Sequence, residues 1–266
     1  MKENILQAIP AECPWRDTLY WYDRLDSTNT QAKALARQGA PQGTILIAGH
    51  QTAGRGRMGR VFQSPEGAGV YLSLILRPNC PPTQLMHLTC AVGVAIAQAV
   101  ENAAGILPGI KWINDLVWEK KKLGGILTEL SLDAKTGLVD YAVVGVGINC
   151  TQKLEDFSQE IRGTAASLSM AAGKPVDPAV LAGSMVTSLW NMAGTLLTRK
   201  QATMDTYRKL CVTLGQPVMV IKPDGKFPGK ALTMDDDGGL LVAFDHGHTA
   251  TVSSGEVSVR GFYDYI

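Results

Sequence analysis

The sequence predicts an α/β protein in which a large mixed domain, residues 1–213, precedes a small β domain, residues 214–266. In the first part, runs with strand character such as Val70 to Leu76 (VYLSLIL) alternate with longer segments of helical character. From Gly215 onward the pattern changes to five short strands at regular spacing, separated by turns such as Pro-Asp-Gly and Asp-Asp-Gly-Gly. Such spacing is typical of a small β-barrel.

The elements near the start follow from local signals. Leu19 to Leu25 (LYWYDRL) is rich in aromatic residues and predicts a strand. Asp26 to Asn29 then supplies cap residues for a helix that runs to Arg37, with Gly39 as its stop. The elements predicted next are strands at 44–48 and 70–76, a long helix at 84–104, and short strands at 110–112 and 116–118 on either side of an Asn-Asp turn.

A central hairpin is predicted in the second half of the large domain. Its arms are Leu123 to Leu130 and Val139 to Ile148, and only a weak helix is expected after it, near Ala165. Asp177-Pro178 is a helix cap followed by proline at the first helical position, which predicts a helix to about Leu197. The remaining predicted elements are a helix at about 200–211 and strands at 217–221, 226–232, 240–244, 249–253 and 257–260.

Composition excludes several classes of protein. The net charge is +1, so no global field recruits nucleic acid or a membrane surface. The five cysteines are scattered and odd in number, which favours reduced thiols in a cytoplasmic protein over a disulfide framework or a zinc site. The first residues lack the apolar core of a signal peptide, and the longest apolar run, Leu88 to Val100, is too short to span a bilayer.

A basic, glycine-rich segment at Gly49 to Arg60 (GHQTAGRGRMGR) is the strongest local signal. It holds four glycines and three arginines without an acid, so it predicts a mobile loop with unpaired cations that closes on an anion. The alternative is a solvated basic hairpin tip. Its glycines match the spacing GxGxxG, but Ser64-Pro65 follows where a dinucleotide-binding motif needs a helix, and we reject that match.

Four other segments could carry chemistry, and each also has a purely structural interpretation. The segment Asp26 to Asn29 offers three neutral side chains that could hydrogen-bond a polar, uncharged group, or it is a plain helix cap. The segment Lys111 to Asp115 could contact phosphate and Mg²⁺, or it is a turn. The glycines beside Lys122, at 124 and 125, suggest a backbone that lies against a ligand, and the alternative for Lys122 is a solvated charged turn. The segment Gly145 to Asn149 suggests the same close approach, and its alternative is a bulged core strand. Together they suit the activation of a carboxylate by ATP, in which cations and Mg²⁺ hold two anions together.

At these residues the chain resembles the biotin protein ligase family. The resemblance covers nearly the whole chain from about residue 19, and the motifs occur in family order with family-like gaps. The matching segments are DSTNTQAK at 26–33, HQTAGRGRMGR at 50–60, KWINDL at 111–116, KKLGGILTE at 121–129, GVGIN at 145–149 and GEVSVR at 255–260.

The resemblance implies a mixed β-sheet catalytic domain covered by helices, followed by an SH3-like barrel. It implies that biotin and ATP, with Mg²⁺, form biotinyl-5′-AMP, and that an acceptor lysine then takes the biotinyl group. The expected partner is a biotin carboxyl carrier protein or domain of acetyl-CoA carboxylase or a related carboxylase, with neither DNA nor membrane as a partner. The expected protein is cytoplasmic and a monomer or weak homodimer.

The resemblance also assigns site residues. Lys122 and Arg57 are implied as catalytic, Phe62 as a lid and Asp115 as the metal ligand. The implied biotin-binding residues are Ser27, Thr28, Asn29, Gln51, Arg55, Gly56, Arg57, Lys122, Gly125 and Gly145. The implied ATP-binding residues are Arg57, Arg60, Lys111, Asn114, Asp115, Asn149 and Arg260.

Three departures from the family pattern stand out. Ile113 replaces the proline of KWPND and is expected to loosen that turn, and Phe62 replaces a larger tryptophan lid. The nucleotide-side segment 163–173 has no aromatic residue to stack on adenine. Only about eighteen residues precede the first strand, which is too few for the DNA-binding domain of some relatives.

Two alternatives stay open at this point. A lipoate protein ligase shares the catalytic fold, although the GRGRMGR loop and KKLGGI favour biotin. A biotin-sensing regulator is the alternative that is not an enzyme.

Overall fold

A seven-stranded mixed sheet forms the centre of the computed structural model, which describes residues 1–245, 247–253 and 258–261. The strand order is β1-β2-β3-β7-β6-β5-β4, in which β1 and β2 are parallel and every other neighbouring pair is antiparallel. The strands are β1 Leu19–Tyr22, β2 Ile45–Ala48, β3 Gly69–Leu76, β4 Gly109–Lys111, β5 Asp115–Trp118, β6 Lys121–Leu132 and β7 Val139–Asn149.

Helices cover both faces of this sheet. The helices are α1 Lys2–Gln7, α2 Thr28–Arg37, α3 Leu88–Ala104, α4 Leu168–Ala172, α5 Pro178–Thr195 and α6 Lys200–Leu210. The main apolar core lies between the sheet and α3 and α5, and includes Leu74, Val92 and Leu181. On the opposite face α2 packs against Ile75 and Val143 and covers only part of the sheet.

The C-terminal residues form a second, five-stranded antiparallel sheet of order β11-β10-β9-β8-β12. Its strands are β8 Pro217–Lys222, β9 Gly225–Met234, β10 Leu240–Phe244, β11 Thr249–Val252 and β12 Ser258–Gly261. Its apolar face shares a core with Ile110, Trp112 and Tyr207 of the first part. The fold class predicted from the sequence is confirmed, whereas a division at 213/214 stays a prediction.

Several element predictions needed correction. Helix α1 was not predicted, because it is only six residues long. The helix predicted at 84–104 is a 3₁₀ turn at Pro82–Leu85 followed by α3, and the weak helix near Ala165 starts at Leu168 instead. The described segment Pro82–Ala104 is long and apolar enough to cross a bilayer, contrary to our estimate, but 67% of its most apolar window is buried in the protein, as in a core helix.

Candidate active site

Glycines on the central strands clear space for the protein's own side chains. A Cβ at Gly145 would lie 2.0 Å from Asn29 Oδ1, and one at Gly147 would lie 2.6 Å from the Phe62 ring. A Cβ at Gly125 would lie 3.2 Å from Asp115 Oδ1. The sequence predicted that these glycines leave room for a ligand, whereas in the structure they first make room for predicted site residues. All of them face the side of the sheet that α2 covers only in part.

The start of α2 forms a buried polar pocket with Gln51. Gln51 Oε1 accepts hydrogen bonds from the backbone N of Thr28 at 2.8 Å and from its Oγ1 at 3.1 Å. Gln51 Nε2 donates to Ser64 Oγ at 2.9 Å. Ser27 is buried at the N-cap, but its side chain makes no capping hydrogen bond, so a helix cap does not account for it.

Asn29 is buried beside this pocket and its amide is fixed by three partners. Its Nδ2 donates to Leu127 O at 3.3 Å and to Glu129 Oε2 at 3.1 Å, while its Oδ1 accepts from Ser73 Oγ at 2.6 Å. Because Leu127 O and an ionised Glu129 can only accept, the amide nitrogen must point toward them. The oxygen is therefore the part of Asn29 that lies against Gly145.

The basic loop is a short anchored hairpin, and our prediction of unpaired cations was wrong for two of its three arginines. Arg55 Nη1 lies 3.2 Å from the Glu129 carboxylate, and Arg57 Nη1 donates to Asn114 Oδ1 at 2.9 Å. Burial is the main cause that lowers the pKa of Arg57. The loop backbone pairs with itself, since Gly56 N donates to Arg60 O at 2.7 Å and Phe62 N to Gly54 O at 2.9 Å.

Two observations qualify the interpretation of this loop. Only a 3₁₀ turn at Arg57–Gly59 follows its first glycines, so rejecting the dinucleotide-binding motif was correct. Met58 and Val61 are exposed at its tip, whereas Phe62 packs over Gly147 and meets the Tyr71 ring edge-on at a centroid distance of 6.3 Å. The side chain predicted as a lid thus already lies on the sheet.

The cationic end of the site is built around Lys122 and Asp115. Lys122 Nζ lies 2.7 Å from Asp115 Oδ1, and Asn114 Nδ2 donates to the same oxygen at 3.2 Å. Lys111 is buried in β4 and lies opposite Asp115 in the β4–β5 hairpin. Lys122, Arg57 and the Asn114–Asp115 pair are therefore connected by direct contacts at this end.

The oxygen donors at this end suit a hard cation. One carboxylate and one amide are too few to hold Mg²⁺ alone, but Mg²⁺ is commonly held by one or two carboxylates together with substrate phosphates. In the part of the chain that is described, no cluster of three or more His, Cys, Asp or Glu could hold a metal by itself. The residues therefore fit an ion that arrives with a nucleotide.

The turn between β4 and β5 is tightly held despite isoleucine at position 113. The Trp112–Ile113 peptide bond is cis, and both side chains are buried. Trp112 N donates to Thr213 Oγ1 at 2.9 Å, Trp112 Nε1 to Gly238 O at 2.9 Å, and Tyr207 Oη to Ile113 O at 3.1 Å. These hydrogen bonds with α6, with the segment that follows α6 and with the β9–β10 turn hold the turn, so the expected loosening is not seen.

Asn149 ends β7 beside a segment that runs along Lys122. Its Nδ2 donates to Ala166 O at 3.1 Å, and Lys122 N donates to Thr164 O at 2.7 Å. Arg260 lies in β12, but its side chain is outside the residues that the structure describes. The structure thus brings together predicted residues from α2, the loop and β4 to β7, while Arg60 is exposed on the loop, and the binding roles of all of them stay predictions.

Comparisons with known proteins agree with this arrangement. The model of the biotin/lipoate A/B protein ligase family matches residues 21–149, and that of the biotin protein ligase C-terminal domain matches residues 213–260. The bifunctional ligase/repressor BirA of Bacillus subtilis is 39% identical over 86% of this chain and 70% of its own length. The chain belongs to the biotin protein ligase family.

Further relatives support the family over nearly the full chain. A biotin–[acetyl-CoA-carboxylase] ligase of Mycobacterium tuberculosis is 33% identical over 94% of this chain and 92% of its own length. The biotin protein ligase of Aquifex aeolicus in complex with biotin and ATP superposes with a TM-score of 0.74 at 29% identity, over 91% of this chain and 98% of the other.

Sequence reasoning missed two features of this family member's site. Glu129 ends the motif KKLGGILTE, and no role was predicted for it. Its carboxylate nevertheless contacts Asn29, Lys33 and Arg55. The indole of Trp118 lines a cavity of about 380 Å³ next to Ala166 and Met170, so an aromatic residue from β5 lies beside the segment that lacks one of its own. Both features depend on contacts between residues that are far apart in the sequence, so no local pattern indicates them.

Proposed function

We propose that this chain is an ATP-dependent biotin protein ligase. It activates biotin to biotinyl-5′-AMP and transfers the biotinyl group to one lysine of a biotin carboxyl carrier protein. The observation that carries the proposal is a groove with two chemically different ends along β6. At one end the Asn29 amide lies near Leu127, with Thr28 and Gln51 paired at the start of the same helix, and at the other end the cations lie near Lys122. Five residues of extended strand separate these ends by roughly 16 Å.

The neutral end suits the cyclic urea of biotin. Asn29 Oδ1 is fixed as an acceptor, and Thr28 with Gln51 offers further hydrogen-bonding atoms in a buried pocket. Ureido N–H groups need acceptors, and a carbonyl needs a donor. A dithiolane ring has neither an N–H nor a carbonyl group, so lipoate would cover these polar atoms without gaining a hydrogen bond from them. The pocket therefore favours biotin over lipoate.

The first half-reaction occurs at the cationic end. A carboxylate oxygen of biotin attacks the α-phosphorus of ATP, and the bond from that phosphorus to the bridging oxygen breaks to release pyrophosphate. Lys122 and Arg57 offset the repulsion between carboxylate and phosphate and stabilise the charge that develops. Asp115 and Asn114 would hold Mg²⁺ that arrives with the nucleotide, and the ion would supply further neutralisation of the phosphate charge.

The second half-reaction needs a free lysine amine from the partner. The amine attacks the acyl carbon of the adenylate, an amide forms, AMP leaves and the amine loses a proton. Exposed Met58 and Val61 place the tip of the loop at the surface, where the adenylate can be covered before the carrier arrives. Five buried, free cysteines are compatible with a reducing cytoplasm, which remains our proposal for its location.

Adenylate formation provides the decisive test. Pyrophosphate exchange into ATP should require biotin and Mg²⁺, and lipoate should support little exchange. A second assay supplies a biotin carboxyl carrier domain and detects the biotinylated band with streptavidin. A carrier whose acceptor lysine is replaced by arginine serves as the control. Exchange with lipoate alone would overturn the assignment in favour of a lipoate ligase.

A regulator is the second candidate, because several relatives are named bifunctional ligase/repressor. The near-neutral net charge gives no support for DNA binding by the described folds. A gel shift at low salt with the promoter of a biotin-synthesis operon tests it. Sequence-specific binding that strengthens with biotin and ATP would add this role to the enzyme.

A further inference from the structure

Glu129 joins three segments that are far apart in the sequence. It lies on β6, with its side chain 22% exposed. Its carboxylate contacts Lys33 Nζ of α2 at 2.7 Å, Asn29 Nδ2 at 3.1 Å and Arg55 Nη1 of the basic loop at 3.2 Å. The Glu129 side chain therefore connects strand β6, helix α2, which carries Thr28 and Asn29, and the basic loop.

Contact with Glu129 also decides how Asn29 presents its amide. A flipped amide would turn Oδ1 toward the Glu129 carboxylate and Leu127 O, both of which can only accept, and would face Ser73 with a donor. The repulsion is strongest while Glu129 carries its charge. Burial alone would raise the pKa of Glu129, but hydrogen bonds from Lys33 and Asn29 and the charges of Lys33 and Arg55 outweigh it, and the pKa is lowered.

Arg55 is the loop's ion-pair contact with β6. It lies next to Gly54 and Gly56, whose backbone atoms pair across the hairpin with Phe62 and Arg60, so the ion pair adds a side-chain contact between this hairpin and β6. A charge-assisted hydrogen bond to a partly buried carboxylate is stronger than a neutral one. The pair therefore holds the loop over the end of the groove where Asn29 lies.

We propose that Glu129 is a positioning residue for biotin recognition, which fixes the orientation of the Asn29 amide and tethers the basic loop through Arg55. This proposal rests on the proposed biotin ligase function. It implies that loop closure and recognition of the ureido ring depend on one carboxylate, which itself does not touch the reacting atoms.

The test uses Glu129→Gln, which keeps the shape of the side chain but removes its charge. Glutamine has a single acceptor oxygen, so it cannot serve Lys33, Asn29 and Arg55 together. We expect the KM for biotin in pyrophosphate exchange to rise about tenfold, as for the loss of one charge-assisted hydrogen bond, while kcat stays within about twofold. The KM for ATP should not change.

A double-mutant cycle with Arg55→Gln separates the tether from general damage. If the two residues act as a pair, the double variant should raise the biotin KM about as much as the worse single variant and less than the product of both. Asp140→Asn is the matched control, because it removes a carboxylate charge on β7 that lies 3.0 Å from Arg77, just after β3, and should leave the biotin KM unchanged. Multiplicative effects in the cycle, or an unchanged KM in Glu129→Gln, would overturn the proposal.

A readout without substrate keeps this inference distinct from the proposed function. Limited trypsin digestion of the free protein, followed by mass spectrometry, measures cleavage after Arg55, Arg57 and Arg60. Glu129→Gln should be cut in this loop several times faster than the wild type and Asp140→Asn. If the wild type shows no biotin-dependent exchange, the proposed function fails while this result still reports on the tether. Equal cleavage rates in all three proteins would show that Glu129 does not hold the loop.

Discussion

Replacing Gly145 with alanine tests the tightest contact in the site. The added Cβ would lie 2.0 Å from Asn29 Oδ1, 2.7 Å from its Cγ and 2.9 Å from its Nδ2. These three atoms belong to an amide held by Leu127, Glu129 and Ser73, so it cannot rotate away without breaking hydrogen bonds. Either the amide moves or α2 moves away from β7.

The expected cost follows from these contacts. Overpacking a well-packed site costs about 1–3 kcal/mol. A displaced Asn29 also loses its charge-assisted bond to Glu129, which contributes about 1.5–3 kcal/mol. Since the two effects arise from one movement, they do not add fully, and we expect a loss of about 3 kcal/mol. For a chain of this size that lowers the Tm by about 6–12 °C.

The assay is thermal unfolding followed by tryptophan fluorescence, with the biotin KM measured in parallel. Gly163→Ala is the control, because no atom lies within 4 Å of its added Cβ. In an Asn29→Ala background the clash disappears, so Gly145→Ala should then cost less than about 1 kcal/mol. An unchanged Tm in the single variant, or an equal loss in both backgrounds, would refute the reasoning.

Four further predictions concern charge and backbone. Lys122→Ala should reduce the kcat of pyrophosphate exchange by about 100-fold or more while biotin binding in calorimetry falls much less, because its charge acts mainly in the transition state; near-normal exchange would contradict this role. Asp115→Asn should raise the Mg²⁺ concentration needed for half-maximal exchange, and an unchanged titration would mean that it serves only the turn. Gly194→Ala should stabilise the protein by about 0.5–1 kcal/mol in urea unfolding, since Gly194 is an exposed position of α5 whose added Cβ meets no atom within 4 Å, and destabilisation would contradict this. Because the pKa of Glu129 is lowered in the folded protein, its ionised carboxylate adds to the free energy of unfolding above the unfolded-state pKa of about 4.3. This stabilisation is lost as the pH falls through the pKa of the folded state. Urea unfolding should therefore separate wild type from Glu129→Gln at pH 7 but not well below pH 4, and a constant difference would disprove the linkage.

Local sequence signals placed most elements because they act over a few residues. Helix α2 ends at Arg37 and strand β10 spans Leu240–Phe244, as predicted, since cap residues and turn signals lie directly beside them. Helix α1 escaped prediction for the opposite reason. Its last turn is held from outside, where Arg16 donates to the carbonyl oxygens of Leu6 and Ile9. No periodicity in six residues can reveal a partner further along the chain.

Residue types in the site were predictable, but their partners were not. Three arginines in a glycine-rich loop indicate an anion site, yet only the fold shows that Arg55 and Arg57 already have partners on β6 and beside β5. Glycine in a strand indicates close approach, but the pattern cannot say whether a ligand or a side chain such as Asn29 approaches Gly145. A lone glutamate in a strand likewise has the appearance of a solvated residue until its neighbours are placed.

Partners already present in the free protein explain how such a site can be both charged and stable. Lys122 contacts Asp115 and Arg55 contacts Glu129, so neither carries an uncompensated buried charge before a ligand arrives. A ligand must then offer at least as good a partner as the one it displaces or supplements. Biotin alone brings one carboxylate, and ATP alone leaves the neutral end empty, so each recovers only part of the cost of ordering the loop. On the proposed function, only the adenylate combines a ureido ring for the neutral end with a phosphate for the cationic end, and the pairing of charges within the protein then favours it over either substrate.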